Sequence, residues 1–371
     1  MKQKIFKEIK LPKNELITDI PMSGENHTQT KKESIPINTN NNSINNIPKK
    51  KDYYFNSYSS YYIHEEMLKD KVRTGAYQSA IIENSYLFKD KIVLDVCSGT
   101  GILSFFAAQA GARHVYGIEY ADIADYSLEI IKKNGMENKI TIIKSKVEEA
   151  ELPVNEVDII ISEWMGYFLL YESMLDSVIF ARDKWLKKEG GMMFPDRAQM
   201  FLAGIEDKNY KHRKINSWKN VFGFNMNCIK EAAISEPLID NCNEDYLISS
   251  MCKIYDIDTE KIKKEELDFM SGYEIEFNDD ECFNGLVAWF NVSFNKGNKK
   301  IELSTSPYDT VTHWKQTVFY IEDDIYVKKG EKLWGNIAVI KDKQNFRFIN
   351  VKISYHFSQH DKVVVQQYKL V

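Results

Sequence analysis

Paired cysteines at metal-binding or redox spacing are missing from this chain of 371 residues. No Cys-x-x-Cys occurs, and the five cysteines are odd in number and scattered, so we expect neither a zinc site nor a disulfide framework. They are Cys97, Cys228, Cys242, Cys252 and Cys282. This usage fits a reducing compartment. It does not choose between cytosol and nucleus, and we expect the protein in both nucleus and cytoplasm.

Long hydrophobic runs and a strong excess of one charge are also missing. No apolar run reaches the ~18 residues that a membrane-spanning helix needs. The N-terminal stretch MKQKIFKEIKLPKN lacks the apolar core of a signal peptide, and residue 2 is not the glycine that myristoylation requires. Basic and acidic residues number 49 and 54, a net charge of −5. We therefore expect no membrane partner and no direct nucleic-acid partner.

The first 50 residues are polar, are punctuated by proline and contain the tract NTNNNSINN. Such a segment cannot bury enough apolar surface to offset the entropy lost on ordering, so we predict a disordered tail over residues 1–50. Folded structure is expected from about residue 51. Residues 64–82 carry apolar side chains at helical spacing, which predicts a helix.

Predicted strands and helices then alternate. The segments KIVLDV, HVYGIE, ITIIKS and VDIIISE are short and almost uniformly apolar, and amphipathic or apolar helical segments separate them. Uniformly apolar strands suit a parallel sheet that is covered on both faces. The pattern predicts a doubly wound, Rossmann-like α/β domain within residues 51–195.

The pattern changes after GGMMFPDRAQ. From about Ile275 onward, segments such as LVAWFNVSF, KLWGNIAVI and INVKISYHF show the two-residue alternation of half-buried strands. We predict an antiparallel β domain, barrel-like in form, within residues 196–371.

The sequence LDVCSGTG follows one predicted strand and opens a helix. Gly99 and Gly101 allow a tight turn and a close approach of backbone to a ligand. Glu119 ends the next strand, where a carboxylate can accept hydrogen bonds from both hydroxyls of a ribose. A nicotinamide nucleotide would use a similar acid, but its pyrophosphate usually needs three glycines. The loop therefore favours an adenosyl ligand without phosphate, such as S-adenosylmethionine.

The stretch SEWMGYFLLYE places Glu163 and Glu172 around aromatic and aliphatic residues. Glu163 ends a predicted strand and Glu172 precedes a helix, so both carboxylates can converge on one pocket. Two like charges there would raise each other's pKa, and a planar, forked guanidinium would relieve the repulsion. Singly, Glu172 also fits a helix-start carboxylate and Glu163 a solvated strand end.

An acidic block surrounds these two glutamates. Residues 147–181 contain eight acidic side chains and no lysine or arginine, in a chain whose charges otherwise nearly balance. Such a block predicts a landing surface for a basic peptide.

These motifs together resemble those of the protein arginine N-methyltransferases, and of their type I members in particular. SEWMGY…YESML is similar to the family's double-glutamate loop, and THWKQT to its Thr-His-Trp loop. Residues 54–74 resemble its cofactor lid, and LDVCSGTGILSFFAAQAGA its cofactor motif. The similarity runs from about Asp52 to the C-terminus. It implies methylation of protein arginines to monomethyl and asymmetric dimethylarginine.

The resemblance also implies roles for individual residues. Catalysis would rest on Glu163, Glu172 and His313, with the two glutamates gripping the substrate guanidinium. Cofactor binding would rest on Tyr58, His64, Met67, Arg73, Asp95, Gly99, Gly101, Glu119 and Glu148. Substrate binding would rest on Tyr54, Met174 and Trp314.

Some of these roles are specific. Arg73 would pair with the methionine carboxylate of S-adenosylmethionine, Glu119 with its ribose and Glu148 with its adenine amine. Met67 and Met174 would limit the space around the acceptor nitrogen.

The β domain would contribute in two ways. His313, with Asp70 as its partner, and Trp314 would line the site. Residues 206–236 would form a dimerisation arm, so we expect a homodimer. Expected substrates are histone tails and arginine-glycine-rich RNA-binding proteins.

Three departures from the family pattern and three alternatives remain open. The stretch SSYY, residues 59–62, differs from the phenylalanine-glycine pair that is usual in the lid, and the tail has no family role that we can assign. Cys97 replaces the usual first glycine of the cofactor loop. A cysteine can occupy a turn with the negative φ expected here, so we expect slightly altered cofactor affinity rather than its loss. The chain could instead methylate nucleic acid or a small molecule, although no Pro-Pro loop occurs and the acidic block repels phosphate. It could also be a catalytically silent scaffold or a nicotinamide-dependent oxidoreductase.

Overall fold

The computed structural model describes residues 53–357 and 363–371. The predicted tail, residues 1–50, lies outside them. Within the described residues, no helix is both long enough and apolar enough to cross a membrane.

Short helices begin the described chain: α1 (Tyr53–Ser57), α2 (Tyr61–Lys69), α3 (Lys71–Ile82) and α4 (Ser85–Phe88). The helical structure predicted for residues 64–82 is confirmed, but it is divided into two helices, because the chain breaks at Asp70. This residue has φ −67° and ψ 97°, and its carboxylate accepts the N–H of Arg73 at 2.9 Å. Aspartate is a preferred N-cap because it satisfies such an orphan donor, and an apolar pattern does not reveal the interruption.

A parallel sheet follows, as predicted, and it has one strand more than the four that were predicted. Its strands are β1 (Ile92–Val96), β2 (His114–Glu119), β3 (Ile140–Lys144), β4 (Ile159–Ser162) and β5 (Met192–Phe194). Helices α5 (Ile102–Gln109), α6 (Ile123–Lys133) and α7 (Leu175–Trp185) connect them. The order is β3-β2-β1-β4-β5, so the winding reverses between β1 and β4. Ligands of such sheets bind at the carboxyl ends of the strands beside this reversal.

The β domain contains ten strands in the described residues. They are β6 (Arg197–Ile205), β7 (Leu238–Asp240), β8 (Cys252–Asp258), β9 (Phe269–Glu276), β10 (Glu281–Phe294), β11 (Ile301–Ser304), β12 (Gln316–Val327), β13 (Lys332–Lys341), β14 (Ile349–Phe357) and β15 (Val364–Leu370). One antiparallel sheet has the order β7-β12-β10-β6-β8, with β11 beside β10, and the other has the order β15-β14-β13-β9. Aromatic contacts such as Phe319 on Tyr368, 5.1 Å between ring centroids, join the two sheets.

The β strands begin much earlier than the signal near Ile275 suggested. In β6, Met200 and Leu202 belong to the main core, whereas Ala203 and Ile205 belong to a second apolar cluster. A strand covered on both faces loses the alternation by which half-buried strands are recognised.

The segment predicted as a dimerisation arm, residues 206–236, which we call the arm, includes α8 (Lys208–Lys214) and α9 (Lys230–Ser235). Lys211 of α8 is buried, pairs with Asp324 at 2.7 Å and donates to the carbonyls of Glu322 and Asp323. Because a buried ammonium needs such partners, this contact fixes α8 on β12.

Candidate active site

A cleft opens at the carboxyl ends of the parallel strands. Residues from the lid, the cofactor loop, the end of β2 and the double-glutamate loop line it. Of the predicted site residues, the lining includes Tyr54, Tyr58, His64, Met67, Arg73, Gly99, Glu119, Glu163, Glu172 and Met174. One cleft therefore brings together most of the residues that were selected for cofactor, catalysis and substrate.

The cofactor loop turns through left-handed backbone. Gly99 and Gly101 have φ +54° and +85°, and a Cβ on Gly99 would meet the His64 ring at 3.3 Å. Cys97 also has a positive φ, +61°, so the expected negative φ is wrong. The turn geometry is set by the strand–loop–helix junction, and the cysteine adopts it at some cost in backbone strain. Its side chain lines the cleft.

Glu119, at the end of β2, is held by backbone donors. Its carboxylate accepts the N–H of Gly99 at 2.9 Å and of Ala121 at 2.8 Å. Burial raises the pKa of Glu119, and these N–H groups oppose the rise. The bonds fix the carboxylate at the floor of the cleft, beside the glycine turn.

Glu163 follows β4 and is paired with Arg73 of α3. The Nε and Nη2 atoms of Arg73 both donate to Oε2 of Glu163, at 2.8 and 2.7 Å. Oε1 accepts the N–H of Met165 at 3.2 Å. Both ion-pair side chains are 8% exposed, so the pair is largely withdrawn from water. The expected partner of Arg73, a cofactor carboxylate, would therefore meet a guanidinium that already contacts Glu163.

Glu172 stands on the opposite side of the double-glutamate loop. The Tyr58 hydroxyl of the lid donates to its Oε2 at 2.9 Å. Burial raises the pKa of Glu172, hydrogen bonds from Tyr58 and Tyr54 lower it, and the charge of Glu163 raises it further. The predicted like-charge effect is thus present, but desolvation is the larger cause.

The loop between the glutamates has an unusual backbone. Phe168, Leu169, Glu172 and Ser173 all have φ between +49° and +76°, a region in which side chains other than glycine are strained. Gly166 permits the fold-back, because a Cβ there would lie 2.0 Å from the carbonyl oxygen of Tyr171.

The predicted pairing of His313 with Asp70 is confirmed. The two side chains lie 2.8 Å apart, and the backbone N–H of His313 donates to the same oxygen at 2.9 Å. Burial opposes ionisation of Asp70, but the hydrogen bonds from His313 and from the N–H of Arg73 outweigh it and lower the pKa.

Neither His313 nor Trp314 lines the cleft, contrary to expectation. His313 turns toward the break between α2 and α3. Trp314 is buried, and its indole donates to the carbonyl of Met165 at 2.8 Å. Both side chains support the wall formed by the lid and the double-glutamate loop.

Three predicted cofactor residues also lie outside the lining. Asp95 is fully buried beneath the loop, accepts the Ser104 hydroxyl at 2.7 Å and has its pKa raised by burial to about 7. Glu148 is exposed and accepts the Ser177 hydroxyl at 2.6 Å. Gly101 serves the turn, where a Cβ would lie 2.9 Å from the Ser127 hydroxyl.

Several lining residues were not selected from the sequence. They are Leu68, Ser98, Thr100, Ile102, Leu103, Trp164 and Met165. All lie inside or beside motifs that were selected, so proximity in sequence was the available signal. In the described parts of the chain, no group of three or more His, Cys, Asp or Glu residues is placed to hold a metal ion.

Comparisons with known proteins agree with the family that the sequence motifs indicated. Residues 196–360 match the family model of the arginine methyltransferase oligomerisation subdomain, and residues 79–179 match that of ribosomal protein L11 methyltransferase. Protein arginine N-methyltransferase 1 of Chlamydomonas reinhardtii is 51% identical over 321 residues, which cover 86% of this chain and 93% of that protein. The chain belongs to the protein arginine N-methyltransferase family.

Other members of the family are similar over the same region. Protein arginine N-methyltransferase 8-B of Danio rerio is 50% identical over 86% of this chain and 77% of its own length. A chain of the Trypanosoma brucei PRMT1 enzyme–prozyme heterotetrameric complex with AdoHcy superposes with a TM-score of 0.82 at 40% identity, over 85% of this chain and all of that one. The resemblance drawn from the motifs, and the fold that it implies, are confirmed.

Proposed function

We propose that this protein transfers methyl groups from S-adenosylmethionine to arginine side chains of proteins, giving monomethyl and then asymmetric dimethylarginine. Membership of the family supports the reaction. The observation that carries it in this chain is the convergence of Glu163 and Glu172 on the cleft that Gly99 and Glu119 also line.

The chemistry of the cleft suits S-adenosylmethionine. Gly99 lines the cleft without a side chain, so an adenosyl group can approach its backbone, and the fixed Glu119 carboxylate can accept hydrogen bonds from ribose hydroxyls. Arg73 offers a cation for a carboxylate. With three glutamates in the lining, a phosphate-bearing nucleotide would be repelled.

Bound S-adenosylmethionine would supply a methyl group on a positively charged sulfur: the arginine nitrogen would bond to the methyl carbon as the carbon–sulfur bond breaks, and S-adenosylhomocysteine would leave. Glu163 and Glu172 hold the substrate guanidinium and draw its charge toward the nitrogens they contact, so another nitrogen keeps more electron density. Fixed carboxylates need no reorganisation as charge moves. Holding both reactants also removes an entropic cost, up to ~7–11 kcal/mol in favourable systems.

Glu172 is the better candidate to receive the proton that the methylated nitrogen loses. It lines the cleft, and burial raises its pKa. His313 lies outside the lining and is held by Asp70.

We also propose the partners and the setting. The acidic block and the glutamate pair favour basic segments, so histone tails and arginine-glycine-rich proteins are proposed substrates. The match to an oligomerisation subdomain supports self-association, and we propose a homodimer that uses the arm. Nucleus and cytoplasm are the proposed locations.

Glu163→Gln and Glu172→Gln test the reaction directly. Each should lower kcat on an arginine-glycine peptide by about 10²–10³-fold, because a preorganised charge is lost. S-adenosylhomocysteine affinity, measured by calorimetry, should change little. Glu156→Gln, an exposed acid in the same block, is the matched control and should stay active. Full activity of either cleft variant would refute the guanidinium clamp.

The product and the acceptor need a second measurement. Mass spectrometry should find asymmetric dimethylarginine on the peptide and no transfer to the same peptide with lysine in place of arginine. Transfer of labelled methyl to RNA, or no transfer to any acceptor, would favour the nucleic-acid or silent-scaffold alternative.

A further inference from the structure

The turn between β13 and β14, residues 342–348, reaches from the β domain to the double-glutamate loop. The backbone N–H of Glu172 donates to the carbonyl of Arg347 at 2.9 Å. The Ser173 hydroxyl donates to the carbonyl of Phe346 at 2.6 Å. The turn is itself braced, because Asp342 accepts the N–H groups of Gln344 and Asn345.

The hydrogen bonds from this turn reach the double-glutamate loop at the residues whose backbone is strained. Glu172 and Ser173 have φ +76° and +55°. Residues in such conformations persist only when their surroundings over-determine them. The turn therefore supplies part of the support that holds the Glu172 backbone in place.

The Arg347 side chain adds a second link, to the lid. Its Nη1 donates to the carbonyl of Glu172 at 2.9 Å. Its guanidinium carbon lies 3.7 Å from the centre of the Tyr54 ring and 5.1 Å from that of Phe55, both on α1. A flat guanidinium can stack on a ring and still direct its donors sideways, as this arrangement requires.

The lid also contacts Glu172 through its tyrosines. The Tyr54 ring packs against the Tyr58 ring at 4.8 Å between centroids, and the Tyr58 hydroxyl donates to the Glu172 carboxylate. The contacts therefore form a closed ring that joins α1, the double-glutamate loop and the β domain. It runs from Arg347 to Tyr54, Tyr58 and Glu172 and back to Arg347.

We propose that Arg347 is a positioning residue that latches α1 onto Glu172. Through this latch, closure of the lid over the cleft and orientation of the Glu172 carboxylate occur together. This inference rests on the proposed function for its kinetic consequence. Its structural consequence is independent of that function.

Arg347→Met and Arg347→Lys separate the parts of the latch. Methionine keeps an apolar stem and removes charge and donors, whereas lysine keeps the charge without the flat, forked plane. Arg113→Met is the matched control, because Arg113 is exposed and lies in the segment between α5 and β2.

Hydrogen exchange of the ligand-free protein tests the latch without any assumption about activity. In Arg347→Met, amides of residues 54–60 should exchange at least ~10-fold faster, while those of β13 and β14 keep their protection. Arg347→Lys should fall between this variant and the wild type, and Arg113→Met should match the wild type. Unchanged exchange in the lid, or faster exchange throughout the β domain, would overturn the proposal.

Kinetics provide a second readout. Arg347→Met should lower kcat by about 10-fold and move the acidic limb of the kcat/KM profile to higher pH, because a cation that lowers the pKa of Glu172 is lost. Tyr54, Tyr58 and Glu163 also act on Glu172, and all remain in this variant. Arg347→Lys should restore the pH profile but leave part of the kcat loss. An unchanged profile in Arg347→Met would contradict the link to Glu172, whereas an inactive wild type would refute only the proposed function.

A double-mutant cycle locates the contact. Tyr54→Leu alone should loosen the lid as Arg347→Met does, and the combined variant should add little to either change. Additive effects of the two substitutions on lid exchange would show that they act separately and would refute the latch.

Discussion

Glu172 unites burial, a strained backbone and a hydrogen bond from another element. Its carboxylate is stabilised as an anion by Tyr58 and Tyr54 and destabilised by burial and by Glu163. The net result is a raised pKa, so activity that needs the anion falls as pH decreases through that value. Because these effects oppose one another, removal of a single lid hydroxyl should shift the pKa of Glu172, and the pH dependence of activity reports that shift.

Tyr58→Phe should move the acidic limb of kcat/KM to higher pH. The substitution removes a hydrogen bond that favours the charged form of Glu172, worth about 1 kcal/mol and hence roughly half to one pH unit. Tyr62→Phe, at an exposed position of α2, is the control and should leave the limb unchanged. A limb that stays at its wild-type pH in Tyr58→Phe would contradict the role of this hydroxyl.

Asp95 affects stability rather than the cleft. Its pKa is about 7 in the folded protein, because it is buried, against 3.8 for the ordinary group. The folded state therefore binds a proton that the unfolded state has lost, and stability falls as pH rises from about 4 to 7.

Asp95→Asn should flatten this pH dependence. The free energy of unfolding of the wild type, relative to the variant, should fall by about 2–4 kcal/mol between pH 4 and pH 8. Urea unfolding at several pH values measures the difference. Parallel curves for the two proteins would show that Asp95 does not hold its proton in the folded state.

The double-glutamate loop shows how one element depends on a single glycine. Gly166 lies where the chain folds back, and the carbonyl of Tyr171 fills the space that a side chain would need. Other residues of the loop, which carry side chains, adopt strained positive φ angles instead. The element is therefore shaped by close packing rather than by local propensity.

Gly166→Ala should displace the loop and lower both stability and kcat. Overpacking of this kind costs about 1–3 kcal/mol, and displaced glutamates should lower kcat by at least ~10²-fold. Gly75→Ala is the matched control, because nothing lies within 4 Å of a Cβ there and the site is inside α3. That control should gain about 0.5–1 kcal/mol. A fully active Gly166→Ala protein would disprove the close-packing argument.

At the scale of the whole molecule, the arm exposes apolar side chains at its tip. Phe222 and Phe224 are 98% and 69% exposed, at the tip between α8 and α9. Exposed phenylalanines at one place are typical of an interaction site. The base of the arm is fixed separately by Lys211 and Asp324.

Replacing Phe222 and Phe224 together by serine should yield monomers by light scattering and lower activity, if the homodimer forms through the arm. Tyr326→Ser, at an exposed position of β12, is the control and should keep the wild-type mass. The base of the arm is untouched in the double variant, so thermal unfolding should change by no more than a few degrees. An unchanged mass would contradict dimerisation through this tip.

The sequence carried the parallel sheet, the cofactor turn and the two glutamates because each has a local signature. Each signature can be recognised within a few consecutive residues: a uniformly apolar strand, glycines directly after a strand, or an acid at a strand end. Strand β6 was missed because it is neither uniformly apolar nor regularly alternating: burial alternates over residues 197–202 and is continuous from there to residue 205. The break at Asp70 was missed because a capping carboxylate does not disturb apolar spacing.

What the sequence by itself determined is the family, the α/β domain and the residues that can meet at its strand ends. Only the tertiary structure decided how they meet: Arg73 on Glu163, Tyr58 on Glu172, and Arg347 between lid and loop. Those contacts join residues 90 or more positions apart. A local pattern records which side chains are available, whereas such contacts depend on how the domains pack, and no local signal carries that information.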